Sequence, residues 1–202
     1  MLKMTESNKR HYEMVVSFQK LIGAVSSYDS RLLYTKLFAE EFTEFLVALE
    51  EWKLKDKDFQ YNENTIIECI DGISDMKVIL LGSIYHESEN TELQSEIYKM
   101  CEDELVNFCP DTSLILDQAF TEVMVSNFSK FPKDIQEAKD TVLKYKSNGI
   151  ETKIEPVTVD EITYYTVLSS KNHTGDGPPL NKLLKSINYR QPDLQFVISA
   201  LE

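Results

Sequence analysis

The sequence is poor in the residues that punctuate a chain. Of its 202 residues only six are glycine and six proline, well under ordinary usage. All six prolines lie from Pro110 onward, and Gly23, Gly72 and Gly82 are the only glycines before it. So few turn formers disfavour a sandwich or barrel. Cysteine is also scarce. Cys69, Cys101 and Cys109 are odd in number and show no CxxC spacing. They read as reduced thiols filling core positions in a reducing, cytoplasmic setting. The three histidines, His11, His86 and His173, are far apart in sequence, which disfavours a zinc site or a histidine triad. Apolar runs such as Val78–Leu81 are too short to span a membrane. The opening residues MLKMTESNKRHYE have no hydrophobic signal core, so no secretory leader is expected. Positive charge is the last deficit. Against 34 acidic residues stand 21 basic ones, for a net charge of -13. Such a chain repels nucleic acid and anionic membranes, and neither is expected as a partner.

What is present is a globular composition, 42% hydrophobic, in helical periodicity. A first helix is expected from about Thr5 to Ser27, with Val15, Phe18, Ile22 and Val25 on one face. A second follows from about Arg31 to Lys55, its core stripe Phe38, Phe42, Phe45, Leu46 and Leu49. Lys53 to Asn64 reads as a connection. A third helix, from about Glu63 to His86, is apolar all round and so central. A fourth spans Thr91 to about Asn107 through Leu93, Ile97, Met100 and Leu105. A fifth follows the Cys109-Pro110-Asp111 break, with Leu114, Leu116, Phe120, Val123 and Met124. A sixth runs from near Pro132 to a stop at Ser147-Asn148-Gly149. Beyond Ile150, residues 151–157 and 162–168 alternate as a β-hairpin. Ser169 to Pro179 is a loop, and Pro192-Asp193 opens a short closing helix to Leu201. The expected class is therefore mainly all-α, a helical bundle over residues 1–149 with a hairpin extension, 150–202, packed on it.

The chemistry is concentrated in carboxylates. The second helix carries Glu40-Glu41-Phe42-Thr43-Glu44. At 100° per residue Glu40 points to solvent, whereas Glu41 and Glu44 flank the apolar face. The third carries Glu68, Asp71 and Asp75 within about 60° of one another, on the most hydrophobic helix. Three like charges on one strip destabilise a helix without a partner. A divalent cation is the economical partner, and an all-oxygen set suits magnesium, manganese or calcium. Lysines from another helix are the alternative. A di-iron bundle is disfavoured because no histidine follows a glutamate by three residues.

Glu-Glu-x-x-Glu on one helix, followed by Glu68-x-x-Asp71-x-x-x-Asp75 and an apolar run, resembles the all-α nucleoside triphosphate pyrophosphatase superfamily. The likeness is nearest to its MazG-like and phosphoribosyl-ATP pyrophosphohydrolase branch of phages and bacteria. Residues 119–130, Ala-Phe-Thr-Glu-Val-Met-Val-Ser-Asn-Phe-Ser-Lys, resemble that branch. So do Leu184-Lys185-Ser186-Ile187-Asn188-Tyr189 and Pro192-Asp193-Leu194. One position departs: Gly72 stands where many members carry a glutamate, so either Glu68 with Asp71 or Asp71 with Asp75 takes that pair's place. The resemblance implies magnesium-dependent (or manganese-dependent) hydrolysis of a nucleoside triphosphate to monophosphate and pyrophosphate. Glu41, Glu44, Asp71 and Asp75 would be metal ligands. Glu41, Glu44 and Glu68 would do catalytic work, with Glu40 a lesser candidate. Asn127, Lys130, Lys185 and Tyr189 would bind substrate. A homodimer or dimer of dimers is also implied. Alternatives are a phosphoribosyl-ATP hydrolase-like activity, or a non-catalytic helical nucleotide-binding or scaffold protein.

Overall fold

The structure, a computed structural model, describes residues 2–55, 63–159, 161–173 and 177–199. Most of the connection expected between the second and third helices, the Gly-Asp pair of the 169–179 loop and the last residues of the chain lie outside these. The fold is mainly helical with one small antiparallel sheet. The order is α1 (Glu6–Leu21), α2 (Tyr28–Lys55), α3 (Glu63–Tyr85), α4 (Thr91–Phe108), α5 (Thr112–Phe128) and α6 (Ile135–Ser147). The strands β1 (Thr152–Val159) and β2 (Ile162–Ser169) follow, then α7 (Leu194–Ile198). Among the described residues no helix is long and apolar enough to cross a membrane.

The chain divides into two compact units. The first comprises residues 1–16, 25–124 and 192–202, and the second residues 17–24 and 125–191. The division falls within α1 and α5. In the first unit α3 is central and packs against α2, α4 and α7. Ile66, Cys69, Ile70, Ile73, Met76 and Leu80 of α3 are all buried. Burying each such side chain stabilises the fold by about 1.5–3 kcal/mol. Trp52 closes this core edge-on against Phe108, ring centroids 4.7 Å apart. In the second unit the hairpin packs against α6, where Ala138, Val167 and Leu184 form a small core with Tyr145 and Ile154 against it. Val159 pairs with Ile162 across the hairpin turn. A second small core joins Leu21, Phe131 and Val159, with Phe18 edge-on to both Phe128 and Phe131.

Local chemistry explains where the elements depart from expectation. The first helix stops at Leu21, not near Ser27, because Gly23 takes a φ of +64° and Ala24 N–H donates back to Gln19 O at 2.9 Å. That is a helix-terminating αL cap. Val25, expected in the core, is consequently 75% exposed, and Ile22 is exposed too. On α4 the buried face is Gln94, Tyr98, Cys101 and Leu105, so Leu93 and Met100 face solvent. The contact face is rotated by about one residue from the apolar stripe, about 100°. Leu46 and Leu114 are likewise exposed. Cys69, Cys101 and Cys109 are free thiols; burial pushes Cys69 up to about 12 and Cys101 up to about 11.

Candidate functional site

The acidic candidates lie on adjacent helices of the first unit. Phe45 and Gly72 mark a close approach of α2 and α3. A Cβ built on Gly72 would stand 3.3 Å from both Phe45 Cα and Phe45 Cβ. Gly72 is therefore the residue that lets the two backbones meet, and a glutamate there would be driven into Phe45. Glycine at this position is thus a packing feature.

Either side of that contact stand the carboxylates. Glu41, on α2, and Asp71 and Asp75, on α3, are half-buried, whereas Glu40, Glu44 and Glu68 are exposed. The Glu41 carboxyl is pushed up to about 7 from 4.5. Burial is the main cause, followed by repulsion from Glu44, Asp71 and Glu40. The Asp71 carboxyl is also raised, by burial and then by Glu44. Charges on two helices therefore sense one another: Glu41, Glu44 and Asp71 form one repulsive set. Glu68 acts in the other direction along α3, where its charge raises the Cys69 thiol. Of the two substitutes for the departed pair, Asp71 is common to both, and it is the one coupled to α2. Among the described residues, no group of three or more His, Cys, Asp or Glu side chains is gathered so as to hold a metal ion. The donor chemistry, all oxygen and partly desolvated, fits a hard divalent cation; the side chains as they stand do not enclose one.

The substrate-side candidates all lie in the second unit. Lys130 Nζ donates to Asn127 Oδ1, so the two residues singled out there interact with each other. Lys185 Nζ stands 4.2 Å over the Tyr189 ring, a cation–π geometry. The Lys185 carbonyl accepts a 3.1 Å bond from Tyr145 Oη. The two stretches that carried the resemblance are bonded together. Ser126 Oγ donates to Arg190 O at 2.9 Å, and Arg190 N–H donates to Ser129 Oγ at 3.1 Å. Ser186 N–H donates to Lys130 O at 3.1 Å. The serines of Ser-Asn-x-Ser-Lys thus anchor the 186–190 segment, a role that sequence spacing did not reveal.

A second anchor was also missed. Asp134 caps α6 by accepting from Glu137 N–H at 2.8 Å, and Glu137 Oε2 accepts from Lys133 N–H at 3.0 Å. Glu137 Oε1 further accepts from Ser186 Oγ. The signal was present as Asp-x-x-Glu, the spacing of a capping box, although here the glutamate reaches past the cap to Lys133 N–H. The units differ in charge. The first carries 26 acidic and 10 basic residues, the second 8 acidic and 11 basic. The carboxylates and the cationic donors therefore sit on units of opposite sign.

The remaining polar cluster is structural. Ser7 and Arg10 both donate to Asp117, and His11 stacks on Phe120 with centroids 4.0 Å apart. Burial, then the Lys77 charge, lowers His11 to about 4, so it is neutral near pH 7. Lys77 Nζ lies 5.4 Å from the centre of the same Phe120 ring. Burial lowers this lysine while Glu102 and Asp117 act against the shift. Lys77 belongs to this packing cluster.

No family model matches the chain, and no curated protein or solved structure matches it significantly either.

Proposed function

We propose that the protein is a divalent-cation-dependent nucleoside triphosphate pyrophosphohydrolase, of the kind its motifs resemble, acting in the cytoplasm on the nucleotide pool. The observation that carries this reading is the mutual repulsion of Glu41, Glu44 and Asp71 across the α2–α3 contact. A fold that keeps Glu41 and Asp71 half-buried with the exposed Glu44 charge beside them sacrifices stability at that point, and perturbed carboxylates of this kind mark working sites. Glu41, Glu44, Asp71 and Asp75 are the residues that would hold magnesium or manganese, with Glu68 next in line. When bound, the cation would neutralise triphosphate charge and acidify a water. Glu41 ionises near 7 only while no cation is held beside it; a bound cation would offset the repulsion from Glu44 and Asp71 and keep it charged. Lys130 supplies a point charge and Asn127 an amide donor of the types that phosphates require; Lys185 and Tyr189 are the further candidates.

The test is direct. Each common nucleoside triphosphate is incubated with the protein and magnesium, and products are separated by anion exchange. Monophosphate plus pyrophosphate is expected, falling more than about 100-fold in Asp71→Asn. Diphosphate plus orthophosphate would contradict the assignment.

A second reading is a non-catalytic helical nucleotide-binding or scaffold protein. It is favoured by the lack, among the described residues, of any three acids gathered around a cation position. Nucleotide binding by calorimetry with no product for any base would support it.

A further inference from the structure

The turn that closes α6 holds an asparagine followed by a glycine, the one such pair in the chain. Asn148 and Gly149 are both exposed. A Cβ built on Gly149 would meet nothing within 4 Å, so nothing crowds this residue. The Asn148 side chain takes part in no hydrogen bond among the described residues. Other asparagines are held. Asn8 donates to Lys3 O at 2.7 Å and Asn90 to Thr35 Oγ1 at 3.3 Å, while Asn127 accepts from Lys130 and Asn172 from Leu180 N–H at 2.7 Å. Each of these four also precedes a residue with a side chain. The turn itself rests on three backbone bonds of 3.0 Å, from Asn148 N–H and Ile150 N–H to Tyr145 O and from Gly149 N–H to Lys146 O. Bonds at a helix end open at little cost.

Freed from Lys146 O, the Gly149 nitrogen can attack the Asn148 side-chain carbonyl carbon and close a five-membered ring, which it does with no Cβ of its own in the way. The nitrogen–carbon bond forms as the amide proton passes to water or hydroxide, and the Cγ–Nδ2 bond breaks with loss of ammonia. Water then opens the cyclic imide at either carbonyl. One opening leaves aspartate at position 148. The other leaves isoaspartate, in which the main chain runs through the side-chain methylene. The net change is water in and ammonia out, so solvent is the only co-reactant. Either product adds a negative charge at the C-terminal end of α6, where the helix dipole is already negative. Isoaspartate also lengthens the main chain by one carbon between α6 and β1. That displaces the Gly149 and Ile150 N–H groups from their acceptors. Ile150 packs against the small core of Ala138, Val167 and Leu184, so its displacement reaches the contact between α6 and the hairpin.

We propose that Asn148–Gly149 is a site of spontaneous covalent modification, and that its isoaspartyl product loosens the hairpin from α6. The inference rests on the turn after α6 and is independent of the proposed hydrolase chemistry. The test is incubation of the full chain at pH 8, followed by peptide mass mapping and labelling with an isoaspartyl methyltransferase. Asn148 should convert about tenfold faster or more than Asn8, Asn90, Asn127 or Asn172. Amide exchange is then read by mass spectrometry, the isoaspartyl and aspartyl peptides being resolved by chromatography. The isoaspartyl fraction should exchange the Ile150 amide about thirtyfold faster than the parent, the worth of two backbone hydrogen bonds. A freshly prepared Asn148→Asp variant, which gains the charge alone, should exchange it no more than about fivefold faster. An Asn148 that persists, or converts no faster than the four held asparagines, would overturn the proposal. So would an isoaspartyl fraction whose Ile150 amide exchanges at the rate of the parent or of the Asn148→Asp variant.

Discussion

Replacing Glu41 by glutamine tests the unusual state of this carboxyl without activity being known. In the unfolded chain the group ionises near 4.5; in the fold it ionises near 7 because it is partly buried and faces Glu44, Asp71 and Glu40. Between those values the folded state holds a proton that the unfolded state releases. Stability associated with the protonated form is present below 4.5 and is lost as pH rises through 7. Carrying a carboxyl over that interval corresponds to roughly 3 kcal/mol at high pH. Solvent access and screening at this half-buried position reduce it to about 1–2 kcal/mol. Glutamine has the same shape and no charge, so it removes that penalty. In metal-free buffer at pH 8, Glu41→Gln should therefore melt about 2–8 °C above the parent, a chain of this size gaining about 2–4 °C per kcal/mol. At pH 5, where the folded parent is already largely protonated, the gain should shrink to a small fraction. Differential scanning calorimetry with EDTA at both pH values reads this out. A variant no more stable than the parent at pH 8, or equally stabilised at both, would refute the argument.

Three further outcomes follow from the packing. Gly72→Ala should lower stability by about 1 kcal/mol in urea denaturation, because the new Cβ meets the Phe45 backbone at 3.3 Å and overpacking exceeds the helical gain from alanine; a more stable variant would show that α2 and α3 can separate freely. Ser129→Ala should cost about 1 kcal/mol and speed amide exchange at Arg190, whose N–H bonds to Ser129 Oγ; unchanged exchange would deny the anchor. Asp134→Ala should cost about 1 kcal/mol through loss of the α6 cap, measured as a lower midpoint in guanidinium, and no change would mean the cap is dispensable.

Much of this architecture was legible because six helices and a hairpin each announce themselves by period or by punctuation. The apolar circumference of α3 correctly marked it as central, and the Ser147-Asn148-Gly149 stop coincides with the end of α6. Which face of a helix meets its neighbour was less legible. On α4 polar Gln94 and Ser95 are buried while Leu93 and Met100 are exposed, because hydropathy records composition and the partner's position decides burial. Leu46 of α2 misled for a related reason: it looks like core, yet it is exposed. That acids sit on α2 and α3 was readable from the sequence, whereas the mutual influence of Glu41, Glu44 and Asp71 across the two helices was not. The hydroxyl bonds from Ser126 and Ser129 to residue 190 were not foreseeable, since they join segments about sixty residues apart.

The claim on which the account turns is that α2 and α3 together create a place for a divalent cation. Calorimetric titration of manganese into the metal-free protein at pH 8 tests it most directly. Saturable binding that is lost in both Glu41→Gln and Asp71→Asn, one variant from each helix, is the predicted result. No binding by the parent chain, or binding that survives both substitutions, would contradict it.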